Sequence, residues 1–199
     1  MMFIVLQILK VIGDDVTIAL MINAYGIYYK IMQIALFACF GLSNTLITVV
    51  SFNYGMQDTE RLEQMMKYGI LNSMIVSAFL LVVFQVFSNP ISELFGISLP
   101  ALSANEISKA DILFTCKTAM HIAIWGYIFM SISIAVQGIL QGLRNVYTPI
   151  LISFLRLIVF VVPFALLFCL GENVTVDFWW TFVIEEVLTA ICALLFLKK

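Results

Sequence analysis

Long apolar runs separated by short polar punctuation set the pattern of this chain. After a break at Lys10–Asp15, an apolar segment covers about residues 16–53. The polar stretch Gly55–Lys67 follows, then a second run over 69–87, closed by Ser88-Asn89-Pro90, with a short apolar coda at 91–97. A third run covers about 107–141 and closes on Gln141-Gly142-Leu143-Arg144-Asn145 and Pro149. A fourth covers 150–170 and ends at Gly171-Glu172-Asn173, and a fifth runs from Trp179-Trp180 to Lys198-Lys199. About 20 apolar residues in a helix span ~30 Å of hydrocarbon, which the opening run over residues 1–9 falls short of. The pattern predicts an all-α integral membrane protein, a single membrane domain over residues 1–199. It has about five complete transmembrane helices and a truncated one at the N-terminus, where the chain begins partway through a helix.

Local signals agree with these boundaries. Asp58 stands where an N-cap would, Glu60 suits a first helical turn, and Glu63 faces Lys67 at i,i+4. In the polar loop SLPALSANEISKAD, Ser103-x-x-Glu106 matches a capping box that would start the third long helix. No repeat or low-complexity segment stands out.

Composition narrows the class. Of 199 residues 63% are hydrophobic and 11% charged, and the mean hydropathy is +1.08. A soluble domain of this size has too little interior to hide so much apolar surface. The net charge of −2 is too small and too scattered to suggest nucleic-acid binding. Cys39, Cys116, Cys169 and Cys192 lie singly in apolar runs without CxxC spacing, so they read as small hydrophobes rather than metal or disulfide positions. No GxSxG, HExxH, Walker loop or paired catalytic Asp is present, so the chain does not read as an enzyme.

The loop charges set an orientation. With 55–67, 142–149 and the C-terminus on one side, Arg61, Lys67, Arg144, Lys198 and Lys199 gather there. Lys10 and Lys109 fall on the other side, among Asp14, Asp15, Glu106, Asp111, Glu172 and Asp177. The positive-inside rule then puts the C-terminus in the cytoplasm of a cell inner (plasma) membrane protein. Trp179 and Trp180 are expected at the outer interface, in an aromatic belt.

Polar residues inside spans carry the chemistry, because each costs several kcal/mol unless it faces protein or a water-filled cavity. At 100° per residue, Asn23, Gly26, Lys30, Gln33, Asn44 and Ser51 fall within an arc of roughly 80° on the first long helix. Such a stripe either lines an aqueous pathway or glues helices together. An ammonium at Lys30, deep in a span, favours the cavity, with Asn23, Lys30, Gln33 and Asn44 lining it. On the third long helix Lys117 and His121 lie one turn apart. Ser131, Ala135, Gly138 and Gly142 continue that face as small residues suited to close packing. Lys117 lies near the outer end, where it can snorkel. The lone His121 reads first as a satisfied interior residue and second as a proton group. Arg156 lies about seven residues into the fourth span and either snorkels or stays inside, and Pro163 is expected to kink that helix. Glu185 and Glu186 lie ~10 Å below the outer interface. At least one is expected to pair with Lys30, Lys117 or Arg156, or to carry a proton.

The segments DVTIALMINAYGIYYKI and GLSNTLITVVSFNYGMQDTERL resemble the eighth helix and following loop of the multidrug and toxic compound extrusion (MATE) transporters. Gly41, Leu42, Asn53, Gly55 and Arg61 carry the likeness. AVQGILQGLRNVYTPILISFLRLIVFVVP resembles that family's tenth-to-eleventh helix junction, through Gln137, Gly142, Arg156 and Pro163. DFWWTFVIEEVLTAI is similar to the start of its last helix, through Trp180 and Glu186, with Asp177 where the family usually has Gly.

The resemblance covers the C-terminal half only, the tail of helix seven and helices eight to twelve of a two-lobe transporter. It implies efflux of amphipathic, often cationic, small molecules by antiport against H+ or Na+, with no cofactor and with an N-terminal lobe as a missing partner in the bilayer. Some branches bind the cation at an acidic residue in the tenth helix, yet residues 112–142 hold no Asp or Glu. Other branches place the key acid in the N-terminal lobe, so the resemblance assigns no coupling residue here; His121 and Glu186 are the candidate ion or proton groups read from the spans. Two alternatives stay open: a lipid-linked saccharide flippase of the same superfamily, which needs a more cationic cavity, and a non-transporting truncated membrane protein.

Overall fold

The structure, a computed structural model, describes residues 2–12, 15–96, 109–169 and 173–198. The capping box at Ser103 and Glu106 lies outside the described residues. The described residues are almost wholly helical: α1 (Met2–Ile12), α2 (Asp15–Gly55), α3 (Thr59–Val86), α4 (Ser88–Gly96), α5 (Lys109–Ala123) and α6 (Gly126–Gly142) come first. Then follow α7 (Tyr147–Phe154), a π-helical turn (Leu155–Phe160), α8 (Val161–Cys169), α9 (Val174–Asp177) and α10 (Trp180–Lys198). By length and composition 4 stretches can cross a membrane alone, and the bent α5–α6 pair makes a fifth. This all-α, multi-pass membrane architecture is the one the hydropathy pattern predicts.

The apolar runs become helices because bilayer hydrocarbon offers no partner to a bare backbone amide. Their ends follow local chemistry. The 41 residues of α2 rise ~60 Å, more than a bilayer with its headgroups. This helix ends in a Schellman motif: the Asp58 amide donates to the Asn53 carbonyl (3.4 Å) and the Gln57 amide to Tyr54 (3.2 Å). The left-handed position is Gln57, at φ 58°, rather than the glycine two residues earlier. At the end of α6 the arrangement repeats. Asn145 donates to Leu140 (2.9 Å), Arg144 donates to Gln141 (3.0 Å), and Arg144 takes φ 62°. Asp58 caps α3 as expected, its Oδ1 accepting from the Arg61 amide at 3.1 Å, and Lys67 meets Glu63 at 2.7 Å on the surface.

At the centre lies α6, buried along most of its length and packed by α2, α3 and α10. Small residues make this possible. A Cβ at Gly138 would sit 3.0 Å from the Ser43 carbonyl oxygen, and one at Gly142 would sit 2.9 Å from the Val50 side chain. Two serines fasten the seams: Ser43 Oγ donates to the Ile134 carbonyl (3.1 Å) and Ser77 Oγ to that of Tyr127 (2.7 Å). Ser131, Ala135, Gly138 and Gly142 are all buried, so the close-packing expectation holds there.

Two expectations need correction, and two junctions take a form the sequence left open. The third long run is not one straight helix but bends by 54° between Ala123 and Gly126. Trp125 and Tyr127 there bond back three residues, to Ile122 and Ile124, and Gly126 comes close against α10, 3.2 Å from the Phe182 carbonyl oxygen to an added Cβ. Ser88-Asn89-Pro90 follows the end of α3 at Val86, as expected. It opens α4, where Pro90 falls in the first turn and its missing amide is not needed. Pro163 lies in a helical path that runs on as a 23-residue span over Tyr147–Cys169. The proline, with no amide to offer the Val159 carbonyl, follows the widened π turn over Leu155–Phe160. Finally, Trp179 is not at the interface. It is fully buried, its ring 5.6 Å from Tyr28 and from Phe178, with Nε1 donating to the Thr175 carbonyl (2.9 Å). Trp180 is half exposed and keeps the outward position.

Candidate functional site

The π turn and α10 build the one buried charge cluster found among the described residues. Arg156, second residue of the π turn, points into the lobe instead of snorkelling, its side chain 12% exposed. Its Nη2 forms an ion pair with Glu186 Oε1, and its Nε lies 3.5 Å from Glu185 Oε1, on a Glu185 side chain with no exposure at all. Neighbouring residues on a helix point ~100° apart. Both carboxylates nevertheless reach one guanidinium, because its fork presents donors along two edges.

Satisfaction of the cluster is uneven. Both oxygens of Glu185, Oε2 of Glu186 and Nε of Arg156 lack a hydrogen-bond partner. The Tyr25, Tyr127 and Thr181 hydroxyls are buried and unpartnered as well. Tyr25 stacks 5.8 Å from Phe182, one turn before Glu186, and Thr181 lies one turn before Glu185.

On its other side Arg156 lines a cleft of about 300 Å³ between α2, α6 and the π turn. Tyr29, Met32, Leu36 and Phe40 form its apolar wall, and Gln137 and Ser153 join Arg156 as its polar groups. Ser153 Oγ donates to Gln137 Oε1 at 3.1 Å. The cleft therefore offers an aromatic wall, a hydroxyl, an amide and a guanidinium whose charge is already engaged from behind.

The structure places the residues singled out from sequence as follows. On the same helical wheel, the α2 wall of the cleft borders the polar stripe, but Asn23, Lys30, Gln33 and Asn44 do not line it. Asn23 Nδ2 donates to the carbonyl of Ala19 on its own helix (2.7 Å). Lys30 and Asn44 are exposed and Gln33 is half-buried, on the outward side of the lobe. Ser51, also exposed, donates to Thr48 (3.0 Å). His121 Nδ1 lies 2.8 Å from Gln85 Nε2, apart from the cluster. Of the residues carrying the resemblance, Gln137 and Arg156 meet in the cleft, and Gly142 and Pro163 shape helices. Asn53 caps inward to Val49 (2.8 Å), Arg61 pairs with Asp58 at the surface (3.4 Å), and Gly41 and Gly55 face open space. Sequence reasoning missed Ser43 and Ser77, which looked like ordinary helix serines, and the Tyr25 and Tyr28 contacts that bury Trp179.

A family model described as MatE matches residues 19–167 of the chain. No curated protein sequence matches it. Among solved structures, it is similar to a multidrug resistance MATE family transporter in an outward-facing conformation, at 18% identity and TM-score 0.84, over 99% of this chain. It is equally similar to the inward-facing conformation of such a transporter, at 18% identity and TM-score 0.83 over 98% of this chain. A third likeness is to a MOP superfamily transporter from Pyrococcus furiosus Vc1, described as having a binding pocket of reverse polarity that suggests a different function. That one has 18% identity, TM-score 0.85 and 99% of this chain covered. The chain spans 41%, 42% and 41% of those three chains.

Proposed function

Because the chain belongs to the MatE family, we propose that it is one lobe of a cation-coupled antiporter that exports amphipathic, often cationic, small molecules. A membrane transporter fold of the MOP superfamily is what it shares with its relatives; the cargo, the direction and the coupling are our reading. The observation that carries it is the pairing of an amphipathic cleft with a buried cluster in which two carboxylates meet one guanidinium. An excess buried carboxylate costs several kcal/mol unless a cation or proton joins it. Such a site is suited to trading one positive charge for another.

The lobe works with a second lobe, an N-terminal partner, across a cavity to which the outward stripe of Asn23, Lys30, Gln33 and Asn44 contributes. The comparisons support a lobe that moves as a body, since the same fold fits outward-facing and inward-facing relatives alike; two bundles rocking about a midplane site is the expected motion. The coupling ion is H+ or Na+; the sequence offers Glu186 and His121 as candidate groups, and the cluster around Arg156 adds Glu185. The protein sits in the cell inner membrane with its C-terminus in the cytoplasm. A flippase for anionic lipid-linked saccharides is less well supported, because the cation lining the cleft is already matched by two carboxylates. The Pyrococcus likeness shows why the fold alone does not choose the cargo.

Dye efflux tests the proposal, in cells expressing the chain alone and the chain joined to the N-terminal lobe of a MATE transporter. Efflux by the fusion, abolished when the ion gradients are collapsed, is the expected result. Efflux by neither form sinks the antiporter reading.

A further inference from the structure

The geometry points to Glu185 as the bearer of a single exchangeable proton, held in the membrane between Arg156 and the aromatic core, with Glu186 as the fixed counterion of Arg156. Three observations converge. First, the charges do not balance: among the described residues, Arg156 supplies the ion-pair contacts of both carboxylates. Second, the two acids are not equivalent. Glu186 makes the close contact to Nη2, whereas Glu185 stands 3.5 Å from Nε. Neither oxygen of Glu185 has a hydrogen-bond partner, and its side chain is wholly buried. A carboxylate with that little compensation costs several kcal/mol to keep charged. The neutral acid avoids that cost and gains an O–H donor. Third, acceptors are at hand. Tyr25, a residue on which Glu185 acts electrostatically, and Thr181, one turn before Glu185 on α10, have buried, unpartnered hydroxyls, and a hydroxyl oxygen can accept from a protonated acid.

The groups facing the pair from the neighbouring elements are Arg156 from the π turn, Tyr25, Tyr28 and Cys39 from α2, and Tyr127 from α6. The tyrosines and the cysteine are neutral near pH 7, so they leave the imbalance in place. Binding a proton from water turns Glu185 carboxylate into carboxylic acid and brings Arg156, Glu185 and Glu186 to net zero. Releasing it restores one negative charge. Arg156 is the member of the cluster that also lines the cleft, so it stands between the proton and any cargo there. Coupling of that proton to cargo rests on the antiport reading; the presence of the proton does not.

Infrared spectroscopy of the full chain in detergent reads the carboxyl directly. At neutral pH the unaltered protein should show the C=O band of a protonated carboxylic acid, unmoved by added sodium and lost in Glu185→Gln. Glutamine mimics the neutral acid, so Glu185→Gln should also keep the melting temperature of the parent. Glu186→Gln breaks the close pair and should melt several degrees lower. Absence of the band in the parent overturns the assignment, as does a band that survives Glu185→Gln or vanishes on adding sodium. Equal destabilisation by the two substitutions would equally overturn it, since both acids would then be ionised partners of Arg156. A Glu185→Gln protein that shows no cooperative melting overturns the assignment too, since a neutral acid replaced by its isosteric amide should keep the parent's melting temperature. Efflux is not measured here, so a failure of this site and a failure of the antiport reading stay distinguishable.

Discussion

Arg156 is the residue on which most depends. A guanidinium this deep is tolerated because two acids on α10 meet it, and its removal would leave the Glu186 carboxylate buried without a cation. Breaking a buried pair in this way costs roughly 3–5 kcal/mol. Arg156→Gln should therefore lower the melting temperature in detergent sharply, and adding Glu186→Gln to it should restore part of the loss. Additive losses in that double-mutant cycle would mean that the two side chains do not interact. The sequence made Glu185, Glu186 and Arg156 conspicuous as charges in spans, and it suggested Arg156 among three possible partners. It did not reveal that one guanidinium serves both acids, because that depends on how the π turn packs against α10. Lys30 belongs to this scale too. It lies on the outward side of α2, so Lys30→Ala should reduce transport by the two-lobe fusion more than Lys117→Ala does. Equal, negligible effects in the dye assay would make the stripe a packing surface.

Among the elements, α2 and α6 are held at close range by glycines, and this makes sharp predictions. Gly142→Val puts a branched side chain where even a Cβ would lie 2.9 Å from Val50. Overpacking of this kind costs about 1–3 kcal/mol, so its thermal midpoint should fall. Gly26→Ala, into open space on α2, should leave the midpoint unchanged or raise it slightly. The Schellman ends give the opposite sign. Gln57 and Arg144 hold left-handed backbone without being glycine, at a cost of roughly 1 kcal/mol each. Gln57→Gly and Arg144→Gly should each raise the midpoint; a fall would show that the side chains themselves hold those turns. Hydropathy predicted where the helices lie, and small-residue spacing predicted the face of α6 that packs. The bend before Gly126 and the burial of Trp179 escaped prediction, since both arise from tertiary contacts with α10 and α2 that no local pattern encodes.

At the scale of the whole molecule, the chain has the fold of one lobe and spans 41% of the solved transporter chain it matches in the outward-facing state. Its outward side is mixed, with Phe37, Phe40 and Phe52 exposed beside Lys30 and Asn44, as suits a wall shared between lipid and a cavity. Motif order across several helices made the family legible in the sequence. The cleft beside Arg156 was not, because its walls come from α2, α6 and the π turn, distant in sequence and joined only by folding. Under the proposed function, what joins residue to molecule is the exchange of positive charge across the bilayer. Proteoliposomes containing the chain fused to an N-terminal MATE lobe, given a pH gradient, a sodium gradient or neither, measure that exchange directly. Movement of a cationic dye against its own gradient, driven by the pH gradient and lost in Glu185→Gln, is the result predicted. Dye that stays put under both gradients, or moves equally well without either, would contradict it.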